Sequence, residues 1–207
     1  MSSSAEIKKH PAEPSELLIG HMTLYHGSAD RGVAEFVPGT DRVSVGTGVY
    51  LVDNSAQAIG YANRRANNQP GGIATLYEVD IHDLKLVNLS NQEKLDTVMH
   101  GFASLLHKKL THVPTDAPWY RASFIDTALS KIHQGVKVGK VADVTRTCAP
   151  MFSAYLQGLG YDGLKTTEGG EGDDVGRHET YLIFDPSDIT VVKEQSIARA
   201  LGSLALT

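Results

Sequence analysis

Strand-like stretches towards both ends of this 207-residue chain, with helical periodicity between them, constrain its fold more than any other feature. Residues 22–26 alternate as a strand should, and Gly27-Ser28 breaks the run. Residues 48–52 form a second candidate strand, entered through Gly46-Thr47-Gly48. Residues 73–81 form a third, with 84–89 as its continuation or short partner. Towards the other end, residues 179–184 are strongly apolar and stop at Asp185-Pro186, and 189–193 make a final short strand. Between these, Asp53-Asn54-Ser55 offers three helix-capping residues before a helix to about residue 67. Ser90 can cap another, to about 110, striped by Leu95, Val98, Met99, Phe102, Leu105 and Leu106. Residues 119–133 and 149–158 repeat that period, and 197–206 can form a terminal helix weakened by Gly202. Residues 166–176, rich in glycine and acid, read as a mobile loop. Runs of strands flanking a run of helices imply an α+β fold rather than a doubly wound one.

The length suits one domain, expected over residues 21–207 behind a disordered lead of 1–20. Its first part, Met1 to Pro14, is rich in Ser, Lys, Glu and Pro and lacks the apolar core of a Sec-type signal. A secretion address and a simple junction are both compatible with it. No apolar stretch approaches a bilayer span, so no membrane partner is expected. A net charge of −5 gives nucleic acid no global attraction. The single cysteine, Cys148, excludes an internal disulfide and reads as a small buried hydrophobe. His100 and His107 lack a partner at ligand spacing, so no metal is expected. Gly46-Thr47-Gly48 enters a strand rather than a helix, which is wrong for a Rossmann phosphate turn.

Three separated segments carry residue types suited to one chemistry. They are Leu24-Tyr25-His26-Gly27-Ser28, Tyr50 with Tyr61 eleven positions later, and Glu179 at the head of its strand. Two aromatic rings can sandwich a cationic nicotinamide, each cation–π contact contributing about 0.5–2 kcal/mol. A carboxylate near the ribose can accept its hydroxyl and offset an oxocarbenium charge, as in glycoside hydrolysis. A strand-end imidazole can orient the adenosine ribose, and a glycine beside it allows close backbone approach to the carboxamide.

These segments resemble the histidine–tyrosine–glutamate group of ADP-ribosyltransferases, the diphtheria-toxin and poly(ADP-ribose)-polymerase branch. Residues 24–28 look like its first motif. Gly48-Val49-Tyr50-Leu51 and the stretch from Ser55 to Tyr61-Ala62 look like the second, and Gly176-Arg177-His178-Glu179-Thr180-Tyr181-Leu182 like the third. The resemblance spans about residues 22–192, although 90–160 carry no recognised motif.

It implies two small, mostly antiparallel sheets around an NAD cleft, with flanking helices. It further implies Glu179, His26, Tyr50 and Tyr61 as catalytic residues, with Gly27, Ser28 and Arg177 also contacting NAD. The expected activity is mono-ADP-ribosyl transfer by a toxin or effector, with NAD as substrate and no metal. Its acceptor would be a protein rather than nucleic acid, and a cognate antidote protein is possible. The site of action would be the cytoplasm, or a target cytosol reached by a non-Sec route. Arg177 stands where arginine-modifying relatives carry Glu or Gln, which argues against an arginine acceptor. Glu168, Glu171, Asp173 and Asp174 can read a basic acceptor or simply be solvated. NAD glycohydrolysis, tRNA 2′-phosphate transfer and non-enzymatic nucleotide binding remain alternatives.

Overall fold

The computed structural model describes residues 15–39, 45–111, 148–169 and 176–197. In chain order the elements are β1 (Glu16–Ser28), β2 (Val49–Val52), α1 (Ser55–Asn68), β3 (Thr75–Asn88), α2 (Gln92–Thr111), α3 (Ala149–Gly158), β4 (Gly163–Glu168), β5 (His178–Ile183) and β6 (Ile189–Ser196). A short 3-10 turn, Pro186–Asp188, separates the last two strands. The α+β expectation holds. The expected helices at 119–133 and 197–206 lie outside the described residues, as do Glu171, Asp173 and Asp174.

All six strands join one sheet in the order β1-β2-β5-β4-β3-β6, and an extra β1–β3 pairing closes it on itself. This differs from the expected pair of separate sheets. The reason is visible in the register. β1 and β3 pair along their full length, from Glu16 opposite Val87 to Ser28 opposite Thr75. By contrast β1 meets β2 only at Tyr25–Val52, and β3 meets β4 only over Leu86–Asn88. Two three-stranded halves, β6-β3-β1 and β2-β5-β4, are therefore stitched into a ring by two narrow seams. β3 serves both halves by changing partner: residues 75–81 pair with β6, and 86–88 with β4. Asp83, between them, takes a left-handed φ of 52°.

Cross-strand partners share a face, and successive residues alternate between faces. The ring interior is packed by Leu24, Leu51, Tyr77, Val79, Ile81, Tyr181 and Ile183. The outer face of β4 and β5 presents Leu164 and Leu182 to a second core with Val98, Phe102, Phe152 and Leu156 from α2 and α3. α1 packs outside as well. Ala62 and Ala66 bury against Ala29 and Ala74, at the end of β1 and the start of β3.

Three element boundaries depart from expectation for local reasons. β1 starts at Glu16 rather than near His21, because the Glu16 carboxylate is gripped by Tyr161, Lys94 (3.1 Å) and Lys85 (3.4 Å). The Tyr161 hydroxyl, more than either lysine, holds the Glu16 carboxyl down at about 2. The cap of α2 is Asn91, whose side chain accepts from Lys94 N at 2.9 Å, while Ser90 faces elsewhere. Asn54 caps α1 by accepting from Ala56 N. Finally, residues 163–168 form β4 where the expected loop would already have begun at 166, so Glu168 is a strand residue. Among the described residues no helix is long and apolar enough to cross a membrane.

Candidate active site

His26 lies near the end of β1, with Phe36 tilted against its ring at 4.8 Å. Its Nδ1 is 2.8 Å from the Tyr50 carbonyl. A carbonyl can only accept, so Nδ1 carries the proton and Nε2 keeps a lone pair. Desolvation is the main influence on the ring; it outweighs the Tyr50 bond and, with help from Arg65, pushes the imidazole down to about 4. His26 is thus a neutral acceptor of fixed tautomer at physiological pH. Such a group can orient a hydroxyl.

Glu179 occupies the second position of β5, one residue later than expected, because His178 opens the strand. The alternation of β4 aims Lys165 and Thr167 at it, since Lys165 lies opposite Tyr181 and Thr167 opposite Glu179. Lys165 Nζ stands 3.3 Å from Glu179 Oε2. The Thr167 hydroxyl donates to Oε1 at 3.0 Å, and Ser90 Oγ approaches Oε2 at 3.4 Å. Ser90 and Thr167 also bond one another at 3.0 Å. A carboxylate held from three sides, with both oxygens oriented, is prepared to accept a hydroxyl or face a developing positive charge.

His26 and Glu179 belong to the same face of the sheet. Continuing the Tyr25–Val52 pairing outward sets them two strands and two residues apart. By standard sheet spacings that is roughly 12 Å between their backbones. The register therefore sets these two groups on one side of the sheet.

Tyr50 is placed differently. It lies opposite Leu182, on the face that α2 and α3 cover, and its ring packs against that core. Its hydroxyl donates to Gly46 O at 2.7 Å and accepts from Val45 N at 3.1 Å and Gly46 N at 3.2 Å. The phenol therefore fastens the loop entering β2, and its backbone carbonyl fixes His26. Ser153 fastens the same loop from α3, accepting from Thr47 N at 2.8 Å and donating to Thr47 O at 3.0 Å.

Tyr61 projects from α1 to His178, with a 3.1 Å contact from hydroxyl to Nε2 and the rings edge to face. His178 Nδ1 donates to Gly176 O at 2.8 Å, so its Nε2 accepts from the Tyr61 hydroxyl. Arg64 lies 5.7 Å from the Tyr61 ring centre. His178 and Glu179 consequently present opposite faces of β5, and the β2–β5 register ends beside them, at Val52 and Thr180. A ligand touching both Tyr61 and Glu179 would have to pass around the end of β2.

Two of the remaining expected residues, Gly27 and Ser28, have structural roles. A Cβ on Gly27 would lie 2.0 Å from Ala58 O and 2.8 Å from Ala62 N, so glycine is required here for α1 to pack. This packing requirement is separate from the expected approach to a carboxamide. Ser28 is buried, and its Oγ accepts from Asp30 N at 3.1 Å as a turn former does. Arg177 is exposed at the entry to β5. Cys148 is buried, and desolvation pushes its thiol up, as suits a core residue.

Sequence reasoning missed Lys165, Thr167 and His178. The signal was present in Lys165-Thr166-Thr167, a strand-favouring stretch that reading residues 166–176 as one loop obscured. Two further buried atoms, Thr47 Oγ1 and Gln57 Oε1, have no hydrogen-bond partner among the described residues. In sequence they flank β2.

No family model and no curated protein matches this chain. Among solved structures, a chain of the M. tuberculosis MbcT–MbcA toxin–antitoxin complex aligns at 11% identity and a TM-score of 0.44. That alignment covers 89% of the present chain and 88% of the other.

Proposed function

We propose that this protein cleaves the nicotinamide–ribose bond of NAD and transfers ADP-ribose to a macromolecule, as a mono-ADP-ribosyltransferase of toxin or effector type. One observation carries the reading: a neutral imidazole of fixed tautomer and a carboxylate oriented by Lys165, Thr167 and Ser90 occupy one face of the sheet. In this mechanism His26 Nε2 accepts a hydroxyl of the adenosine ribose and sets the dinucleotide's direction. Glu179 accepts the nicotinamide-ribose hydroxyl and opposes the positive charge that grows as the glycosidic bond lengthens. Nicotinamide leaves with the bonding electrons, which neutralise its ring. The acceptor nucleophile then attacks the ribose carbon and loses its proton.

Tyr61 is the better placed of the two phenols to contact nicotinamide, at the end of β2. Tyr50 acts by holding loop 45–48 and His26. The acceptor is a protein rather than a nucleic acid, in keeping with the net charge of −5. An antidote protein that covers the site belongs to the same proposal. Incubation with labelled NAD and cell lysate should release nicotinamide and label a discrete acceptor. Glu179→Gln should lower both by about 10²–10³. Nicotinamide release without macromolecular label would redirect the assignment to an NAD glycohydrolase, and NAD binding without turnover would remove the enzyme altogether.

A further inference from the structure

Away from this site, the outer face of the β1–β3 pair carries a cluster that the proposed chemistry does not use. His21 lies directly opposite His82, and the next pair on the same face is Thr23 opposite Asp80. The two imidazoles stack with centres 4.6 Å apart and planes 18° from parallel. His21 Nε2 is 3.2 Å from Asp80 Oδ2. One ligand atom from each of His21, Asp80 and His82 falls within 4.8 Å of the others.

We infer that His21, Asp80 and His82 form a binding site for a divalent transition-metal ion, with zinc the best match. Two imidazole nitrogens and one carboxylate oxygen suit zinc, cobalt, nickel or copper better than magnesium or calcium. Bonds of about 2.0–2.2 Å in a tetrahedron separate the donor atoms by roughly 3.3–3.6 Å. The present spacing needs only a modest closure, and His21 and His82 are exposed enough to turn about their side-chain bonds without moving the ladder. The carboxylate is already oriented, because Thr23 Oγ1 donates to Asp80 Oδ1 at 2.6 Å and leaves Oδ2 towards His21. A hydrogen bond of this kind, behind the ligand, is a usual part of metal sites. Three protein donors leave a fourth position for water or an exogenous ligand. The ion would tie β1 to β3, five residues before His26 on the same strand.

The sequence hid this site because its ligands lie 59 and 61 positions apart and meet only through the β1–β3 register. Chelator-stripped full-length protein titrated with Co²⁺ should develop visible ligand-field absorption at one equivalent. Zn²⁺ should displace it and raise the melting temperature. His21→Ala and His82→Ala should each weaken binding at least about tenfold, and Thr23→Val, which disturbs only the orienting bond, by about tenfold. His82→Gln keeps the size of the side chain and serves if the alanine variant folds poorly. His100→Ala should change nothing, a needed control in a chain with nine histidines. Failure to bind Co²⁺ or Zn²⁺ at tens of micromolar would overturn the inference, leaving a solvated histidine pair. Binding that survives the His21→Ala/His82→Ala double variant would overturn it too.

Discussion

Replacing Glu179 by Gln should damage both rate and stability, and Lys165 allows the two effects to be separated. Lys165 Nζ lies 3.3 Å from Glu179 Oε2, and the two side chains are 13% and 29% exposed. At that exposure the pair is neither a solvated surface contact nor a fully desolvated one. A hydrogen bond to a charged group contributes about 1.5–3 kcal/mol, and Glu179→Gln removes the anion that balances the Lys165 cation. For a domain of this size that corresponds to a fall in melting temperature of roughly 3–12 °C. Lys165→Met in the same molecule removes the cation that Glu179 had balanced, so the double variant should regain part of the lost stability. The rate should behave otherwise. Removing a preorganised stabiliser costs about 10²–10³ in turnover, and removing Lys165 cannot replace the carboxylate. Nicotinamide release should therefore stay down by that factor in both Glu179→Gln and the double variant, whereas Lys165→Met alone loses less. The assays are a thermal melt and a nicotinamide release assay on all four proteins. Recovery of release in the double variant would show that Glu179 serves only to balance Lys165, and the catalytic argument would fall.

Gly27→Ala puts a methyl 2.0 Å from Ala58 O, so α1 must retreat by more than an ångström. A cost of about 1–3 kcal/mol or more follows from such overpacking, and an unchanged urea midpoint would contradict it. Tyr50→Phe removes the bonds to Gly46 O, Val45 N and Gly46 N. It should cost about 1–3 kcal/mol, speed amide exchange at Val45 and Gly46, and raise KM for NAD more than it lowers kcat. For pH, the folded His26 pKa of about 4 lies below the free value of 6.5. The unfolded chain therefore binds a proton that the native ring refuses. Stability from this group is intact above about pH 6.5 and declines on the order of 2–3 kcal/mol as pH falls to about 4. Urea melts at pH 5 and 7.5 should show that slope in the wild type and a shallower one in His26→Gln.

Local pattern made several features legible from the residues. The bounds of α3 follow from its apolar period and its following glycines, and the start of α1 from Asn54. Both depend on interactions within one turn of helix. The place of Glu179 near the head of a strand was legible for a similar reason, since the apolar run after it announces β5. By contrast, the polar residues of β4 look like loop in sequence, and only the register shows Lys165 and Thr167 facing Glu179. Gly27 invited a ligand-based explanation because nothing local reveals that Ala58 and Ala62 press against it.

By itself, the sequence determined which stretches could be strand or helix and which side chains could handle a charged glycoside. Alternation and capping act over a few residues, so those properties survive without knowledge of the partner. Only the tertiary structure decided that the strands close into one ring, that Tyr50 turns to the α2–α3 side while Glu179 turns inward, and that His21 meets His82. Those outcomes are set by cross-strand register, where a shift of one residue reverses the face of every side chain. Register is settled by the summed burial of distant segments, a quantity no single stretch of chain contains.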